Sequence, residues 1–220
     1  MRPLVNGATT MFKNQTRNSR RLASLAGIVL GLGGLVVPVS AGEDVALTIV
    51  FDTSGSMGET VRDKAGKFSP KDAIARRALD SLVARLSAFV ANAPAGSDRR
   101  LDVALYTFYQ EGARALVPLS KFNPTNAATW SKKIPKPGGG TPLGNSLQTA
   151  ARIVLTSKLS RKHVLVITDG MNTIGPAPEV LLKPLLKEAD TASTPFAAHF
   201  IAFDVDAKVF AGVKKLGATV

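Results

Sequence analysis

Five oxygen-bearing side chains in three separate segments are the residues here with the means to do chemistry. Asp52-Thr53-Ser54-Gly55-Ser56 puts a carboxylate and two hydroxyls at alternate positions. In an extended turn such side chains point the same way, so Asp52, Ser54 and Ser56 can line one wall. Thr141 follows a glycine run, in Gly139-Gly140-Thr141-Pro142-Leu143, and Asp169 precedes Gly170. Two carboxylates and three hydroxyls are hard oxygen donors, suited to Mg²⁺, Mn²⁺ or Ca²⁺ and poorly suited to Zn²⁺.

Other chemistries fit less well. Asp and Ser favour turns for backbone reasons, so the first segment alone has an ordinary explanation. Gly139-x₄-Gly144-Asn145-Ser146 comes near a phosphate-binding loop, but Asn145 stands where the lysine belongs. Ser54 or Ser56 as a hydrolytic nucleophile needs a base. His163 and His199 both fall in apolar runs and read as structural, as do Trp130 and the phenylalanines. Asp52-Thr53-Ser54 lacks the second Asp of an aspartyl-phosphate enzyme. With no cysteine, a thiol nucleophile, a zinc–thiolate site and a disulfide framework are excluded.

The surrounding elements must bring these segments together. Val45–Phe51 is a continuous apolar run that ends at Asp52, and Arg161–Thr168 is another that ends at Asp169. Both read as strands buried on two faces. Residues 59–69 read as a charged loop, with Ser69 as N-cap and Pro70 in the first turn of a helix. That helix carries Ala73, Ile74, Ala78, Leu82, Val83, Leu86, Phe89 and Val90 at helical spacing and ends at Pro94-Ala95-Gly96. Leu101–Phe108 and Ala113–Leu119, joined through Gln110-Glu111-Gly112, predict an antiparallel hairpin. One helix is expected over Pro124–Ile134, another from Thr141-Pro142 to about Leu155, and a third over Glu179–Ala189, where Pro184 should kink it or delay its start. Phe196–Phe203 reads as a strand and Asp206–Leu216 as a short helix; a further strand is expected to open at Ala218, so the chain reads as truncated there. The alternation predicts an α/β fold: a doubly wound, mostly parallel central sheet with one antiparallel edge strand and helices on both faces. In such a sheet, loops at the carboxyl ends of strands share one crevice.

Residues 1–41 read as an export signal, with residues 42–220 as the domain. Lys13, Arg17, Arg20 and Arg21 precede the apolar stretch Leu22–Val37, and Pro38-Val39-Ser40-Ala41 offers a small-residue exit, so cleavage is expected after Ala41. Met11 is a candidate start, and Ser19-Arg20-Arg21 partly matches a twin-arginine signal, without its following aromatic and aliphatic residues. An uncleaved anchor over residues 22–41 is the alternative. The expected location is therefore periplasmic or extracellular, with membrane contact only through this segment. The net charge is +12, of which five positive charges lie in 1–41 and the rest is scattered as pairs such as Lys132-Lys133. No basic stripe alternates with aromatics, so a nucleic-acid partner is not expected.

Asp52-x-Ser54-x-Ser56, then Thr141, then Asp169-Gly170 resembles the metal-ion-dependent adhesion site of the von Willebrand factor A domain family, over about residues 45–220. The resemblance implies that Ser54 and Ser56 coordinate a metal directly and that Thr141 does so in the ligand-bound state. It implies that Asp52 and Asp169 act directly or through water. Few directly bound carboxylates leave an ion electrophilic, with an open position for an Asp or Glu of a protein partner. The implied function is thus metal-dependent protein binding without catalysis. A metal-assisted hydrolase, or a structural piece of an envelope assembly, is the alternative on the same residues.

Overall fold

All seven residues of β1 (Val45–Phe51) are buried in the computed structural model, as a strand covered on both faces requires. The structure describes residues 44–62, 66, 68–94 and 99–220. The export-signal reading of residues 1–41 lies outside them. β1 is the middle strand of a five-stranded sheet in the order β5-β4-β1-β6-β7. The other four strands are β4 (Leu101–Tyr109), β5 (Gly112–Lys121), β6 (Arg161–Thr168) and β7 (Phe196–Ala202). β1 pairs in parallel with β4 and β6, and β6 with β7; β5 alone runs antiparallel, at the edge beside β4. The expected mostly parallel sheet with one antiparallel edge strand is the observed one.

Side-chain alternation distributes β1 between two helical layers. Ala46 and Val50 join Leu143, Leu147, Ala150, Ala151 and Val154 of α4 (Leu143–Leu155) in one apolar cluster. Leu182, Leu185 and Ala189 of α5 (Pro178–Thr191) extend that cluster. Val45, Leu47, Ile49 and Phe51 are equally buried but belong to the opposite face. There α1 (Lys71–Ala91) supplies Ala75, Leu79, Leu82, Val83 and Leu86.

Four local expectations change. The charged loop at 59–69 contains a small antiparallel pair, β2 (Thr60–Arg62) with β3 (Phe68–Pro70). Ser69 is paired with Val61 in it and does not cap α1; the helix opens one residue after Pro70, where the Lys71 N–H donates to the Glu59 carbonyl at 2.9 Å. The single helix expected over Pro124–Ile134 is two short ones, α2 (Pro124–Ala127) and α3 (Trp130–Lys133). Thr129 separates them by donating both its N–H and its hydroxyl to the Asn126 carbonyl. Pro184 does not delay α5, which starts earlier, at Pro178, and continues through the proline to Thr191. Val180, whose carbonyl Pro184 cannot serve, is exposed and open to water. Lastly, the single short helix expected over Asp206–Leu216 is a 3-10 turn (Ala207–Phe210) followed by α6 (Ala211–Lys215). Beyond them Thr219 bridges His199 in parallel, donating to Ala198 O at 3.1 Å and accepting from Phe200 N at 2.8 Å. Among the described residues no helix is long and apolar enough to cross a membrane.

The two histidines meet across β6 and β7, with His163 Nδ1 3.3 Å from His199 Nε2. Burial pushes His163 down to about 4, helped by the Arg161 charge. Burial does the same to His199, also to about 4, helped by the charge of His163. The unfolded chain takes up these protons near pH 6.5, where a free imidazole titrates. Between there and about 4 it holds more protons than the folded chain, so their contribution to stability is complete above about 6.5 and is lost as pH falls to about 4. Urea unfolding at pH 7 and pH 4.5 should show this loss. His163→Leu should make the slope over that interval shallower.

Candidate metal centre

β1 and β6 run side by side in register, with Phe51 opposite Ile167, so their carboxyl ends place Asp52 and Asp169 at the same edge of the sheet. The Asp52 N–H continues the ladder by donating to Ile167 O at 2.9 Å. Its carboxylate is fully buried and holds both loops. Oδ1 accepts the Ser54 N–H at 2.7 Å, which folds the loop back over the strand end, and Oδ2 accepts the Thr168 hydroxyl at 2.5 Å. Burial pushes the Asp52 carboxyl above its ordinary range; the Ser54 and Thr168 hydrogen bonds oppose this, and the nearby charge of Asp169 adds to it.

The turn delivers the hydroxyls. Ser54 Oγ lies 3.1 Å from Ser56 Oγ, and Ser56 Oγ donates to Asp169 Oδ1 at 2.9 Å. Buried Met57 plugs the following 3-10 turn into the core. Thr141 arrives on backbone bonds: Gly55 N–H donates to Gly139 O at 2.9 Å and Gly138 N–H to Thr53 O at 2.8 Å. Gly139 has φ +79°, which suits glycine. The loop after Asp169 then clamps this segment, with Thr173 N–H donating to Thr141 O at 2.9 Å and Thr141 N–H to Thr173 Oγ1 at 2.8 Å. Gly144 opens α4 so close to that loop that a Cβ there would stand 2.1 Å from Pro176 O. A Cβ on Gly170 would lie 3.8 Å from both Ser56 Oγ and Thr141 Oγ1. All five residues singled out from the sequence therefore share one end of the sheet.

These groups fit a hard divalent cation. Ser54, Ser56 and Asp169 turn oxygens toward one another, and Thr141 Oγ1 borders Gly170 as Ser56 Oγ does, while the Asp52 oxygens are spent on Ser54 and Thr168. Two buried carboxylates repelling each other is an arrangement that a positive charge relieves. Among the described residues no three His, Asp or Glu side chains form a metal-holding group of their own, so an ion here would depend on hydroxyls. The histidine of β6 is far away. His163 is in register with Leu47, five residues from Asp52, or roughly 16 Å at the usual strand rise.

The structure adds residues that the sequence reading passed over. Thr168 is the second support of Asp52. Lys71, the first residue of α1, is only 5% exposed, and its ammonium faces three carboxylates. It lies 3.0 Å from Glu59 Oε2, 3.0 Å from Asp169 Oδ2 and 2.8 Å from Asp204 Oδ2. Burial works against this charge, but bonding to Asp204 and Glu59 and the attraction of Asp169 outweigh it and hold the ammonium above its ordinary range. The available signal was a lysine at a helix N-terminus, where the helix dipole disfavours a cation.

A family model described as von Willebrand factor type A domain matches residues 47–172. No curated protein matches the chain. Among solved structures, the PilB minor pilin from Streptococcus sanguinis superposes with a TM-score of 0.56 at 15% identity, covering 83% of this chain and 57% of that one. Proximal thread matrix protein 1 from the mussel byssus, with a zinc-occupied MIDAS motif, gives 0.53 at 19%, covering 79% and 39%. The SpRpn10 VWA domain gives 0.51 at 12%, covering 77% and 80%. These likenesses concern the fold; the chain spans just over half the length of the pilin.

Thr168→Val should leave Asp52 Oδ2 buried without its donor and cost about 1–3 kcal/mol at pH 7. Asp52 titrates above its unfolded value, so the folded chain binds its proton first and the carboxylate's cost is present above that pKa. Urea unfolding in chelator should therefore show the Thr168→Val deficit shrinking as pH is lowered.

Proposed function

Because the chain belongs to the von Willebrand factor type A domain family, we propose that it is an exported, divalent-metal-dependent protein-binding domain. It ligates an acidic side chain of a partner protein through Mg²⁺, with Mn²⁺ or Ca²⁺ as chemically acceptable substitutes. The observation that carries this reading is the convergence of the Ser54, Ser56 and Thr141 hydroxyls with Asp169 at one sheet edge, over the buried Asp52. A bound divalent ion supplies an electrophilic position for a carboxylate oxygen. The chain's own residues do the rest. Ser54, Ser56 and Thr141 offer neutral oxygens, Asp169 offers one carboxylate oxygen beside them, and Asp52 fixes the loop from beneath. No histidine base is placed beside Ser54 or Ser56, since His163 and His199 pair with each other away from the strand end, which favours binding over hydrolysis. The basic and apolar segment of residues 1–41 supports export to the periplasm or cell surface, with membrane contact only if it stays attached. The scattered surface charge favours a protein partner over nucleic acid.

Calorimetric titration of the chain with Mg²⁺ is the direct test. Saturable heat is expected with the wild type, and at least a tenfold loss of affinity with Ser54→Ala or Asp169→Ala, each of which removes an oxygen ligand. Heat that these substitutions leave unchanged rules out this site. A partner from the parent cell's envelope should be retained with Mg²⁺ and released by EDTA.

A further inference from the structure

Lys71 has a bearing on the same site that family membership does not assign. It sits at the start of α1, fixed by its own N–H to Glu59 O at 2.9 Å, and its ammonium is buried against Asp169. The two oxygens of Asp169 are divided. Oδ1 accepts from Ser56 on the hydroxyl side, while Oδ2 faces Lys71 Nζ at 3.0 Å. Oδ2 is buried, and the Lys71 ammonium is the charged partner that faces it. Glu59 and Asp204 complete the ring around the ammonium. Asp204 reaches it from a backbone at φ +54°, a left-handed conformation that the surroundings must enforce on a residue with a Cβ. Four elements thus hold one cation against a candidate metal ligand: the loop after β1, the start of α1, and the loops after β6 and β7.

We propose that Lys71 is a resident counter-cation that sets the divalent-ion affinity of the site, holding Asp169 in place without an ion and weakening its hold on one. This rests on the metal-binding reading above. An ammonium 3.0 Å from one oxygen of Asp169 offsets part of the negative charge that the other oxygen can offer a cation. A divalent ion on the other oxygen of Asp169 competes with the same ammonium by the same law. A low intrinsic affinity leaves the ion dependent on the partner's carboxylate to complete its surroundings, so ion and partner bind together. Lys71 is a positioning residue in this scheme and touches neither.

The test is calorimetry with Mg²⁺ and with Ca²⁺ on the full chain, paired with thermal unfolding in EDTA and in metal. Wild type, Lys71→Arg and Lys71→Met are compared. Lys71→Met should bind ions about tenfold tighter or more, and its unfolding temperature should fall in EDTA and recover in metal. Lys71→Arg, which keeps the charge, should stay near wild type. Lys71→Met/Asp204→Asn, which removes one charge of each sign, covers the case in which three uncompensated carboxylates prevent folding. It should bind ions more tightly than Asp204→Asn alone. Equal or weaker ion binding by Lys71→Met than by wild type, and by Lys71→Met/Asp204→Asn than by Asp204→Asn, with the wild type binding normally, overturns the role of Lys71 and leaves the metal site standing. If neither the wild type nor the lysine variants bind an ion, both readings fall.

Discussion

The Asp52 carboxylate is the point on which the site's geometry depends. One oxygen binds the backbone of its own loop and the other binds the last residue of the adjacent strand. It therefore ties the end of β1 to the end of β6 through a single buried anion. Burying a charge is costly unless it is hydrogen-bonded and faces compensation. The chain meets that cost locally with one amide and one hydroxyl, and the carboxyl still titrates high. A loop held by a buried carboxylate cannot wander, because any opening breaks bonds to a group that has no water to replace them. The Ser54 and Ser56 hydroxyls inherit that rigidity.

Much of this was legible in the residues. The buried parallel strands stand out because Val45–Phe51 and Arg161–Thr168 are unbroken apolar runs, and a strand covered on both faces needs that composition. The antiparallel edge follows from the tight turn at Gln110-Glu111, where Gln110 adopts φ +50°. The convergence of Asp52, Ser54, Ser56, Thr141 and Asp169 follows from the rule that loops at strand carboxyl ends share a crevice. What escaped was set by tertiary contact. Ser69 looks like a helix cap, yet pairing with Val61 claims it for a strand. Pro124–Ile134 has helical composition throughout, but Thr129 bonding back to Asn126 divides it. The partners of Lys71 come from positions 59, 169 and 204, and no local pattern announces such a meeting.

Charge is layered around the sheet edge. Asp52 lies deepest, Asp169 above it, and Lys71 beside Asp169 with Glu59 and Asp204 at the rim. Helix α1 does not present its dipole to an anion at this point; it presents an ammonium to three of them. Its N-terminus is thereby joined to the loops after β1, β6 and β7. The electrostatics of the edge are a property of the whole layer of loops, and no single one of them sets the potential there.

Gly144 shows how far the demands of that edge extend beyond the groups that carry charge or oxygen. Its backbone touches the carbonyl of Pro176 so closely that no side chain of any kind has room. The residue has no chemistry to offer, yet a larger one would lever the 169–177 segment away from Thr141. A methyl group there acts as a wedge, so this silent contact restricts its position as tightly as any charged or hydroxyl group restricts its own.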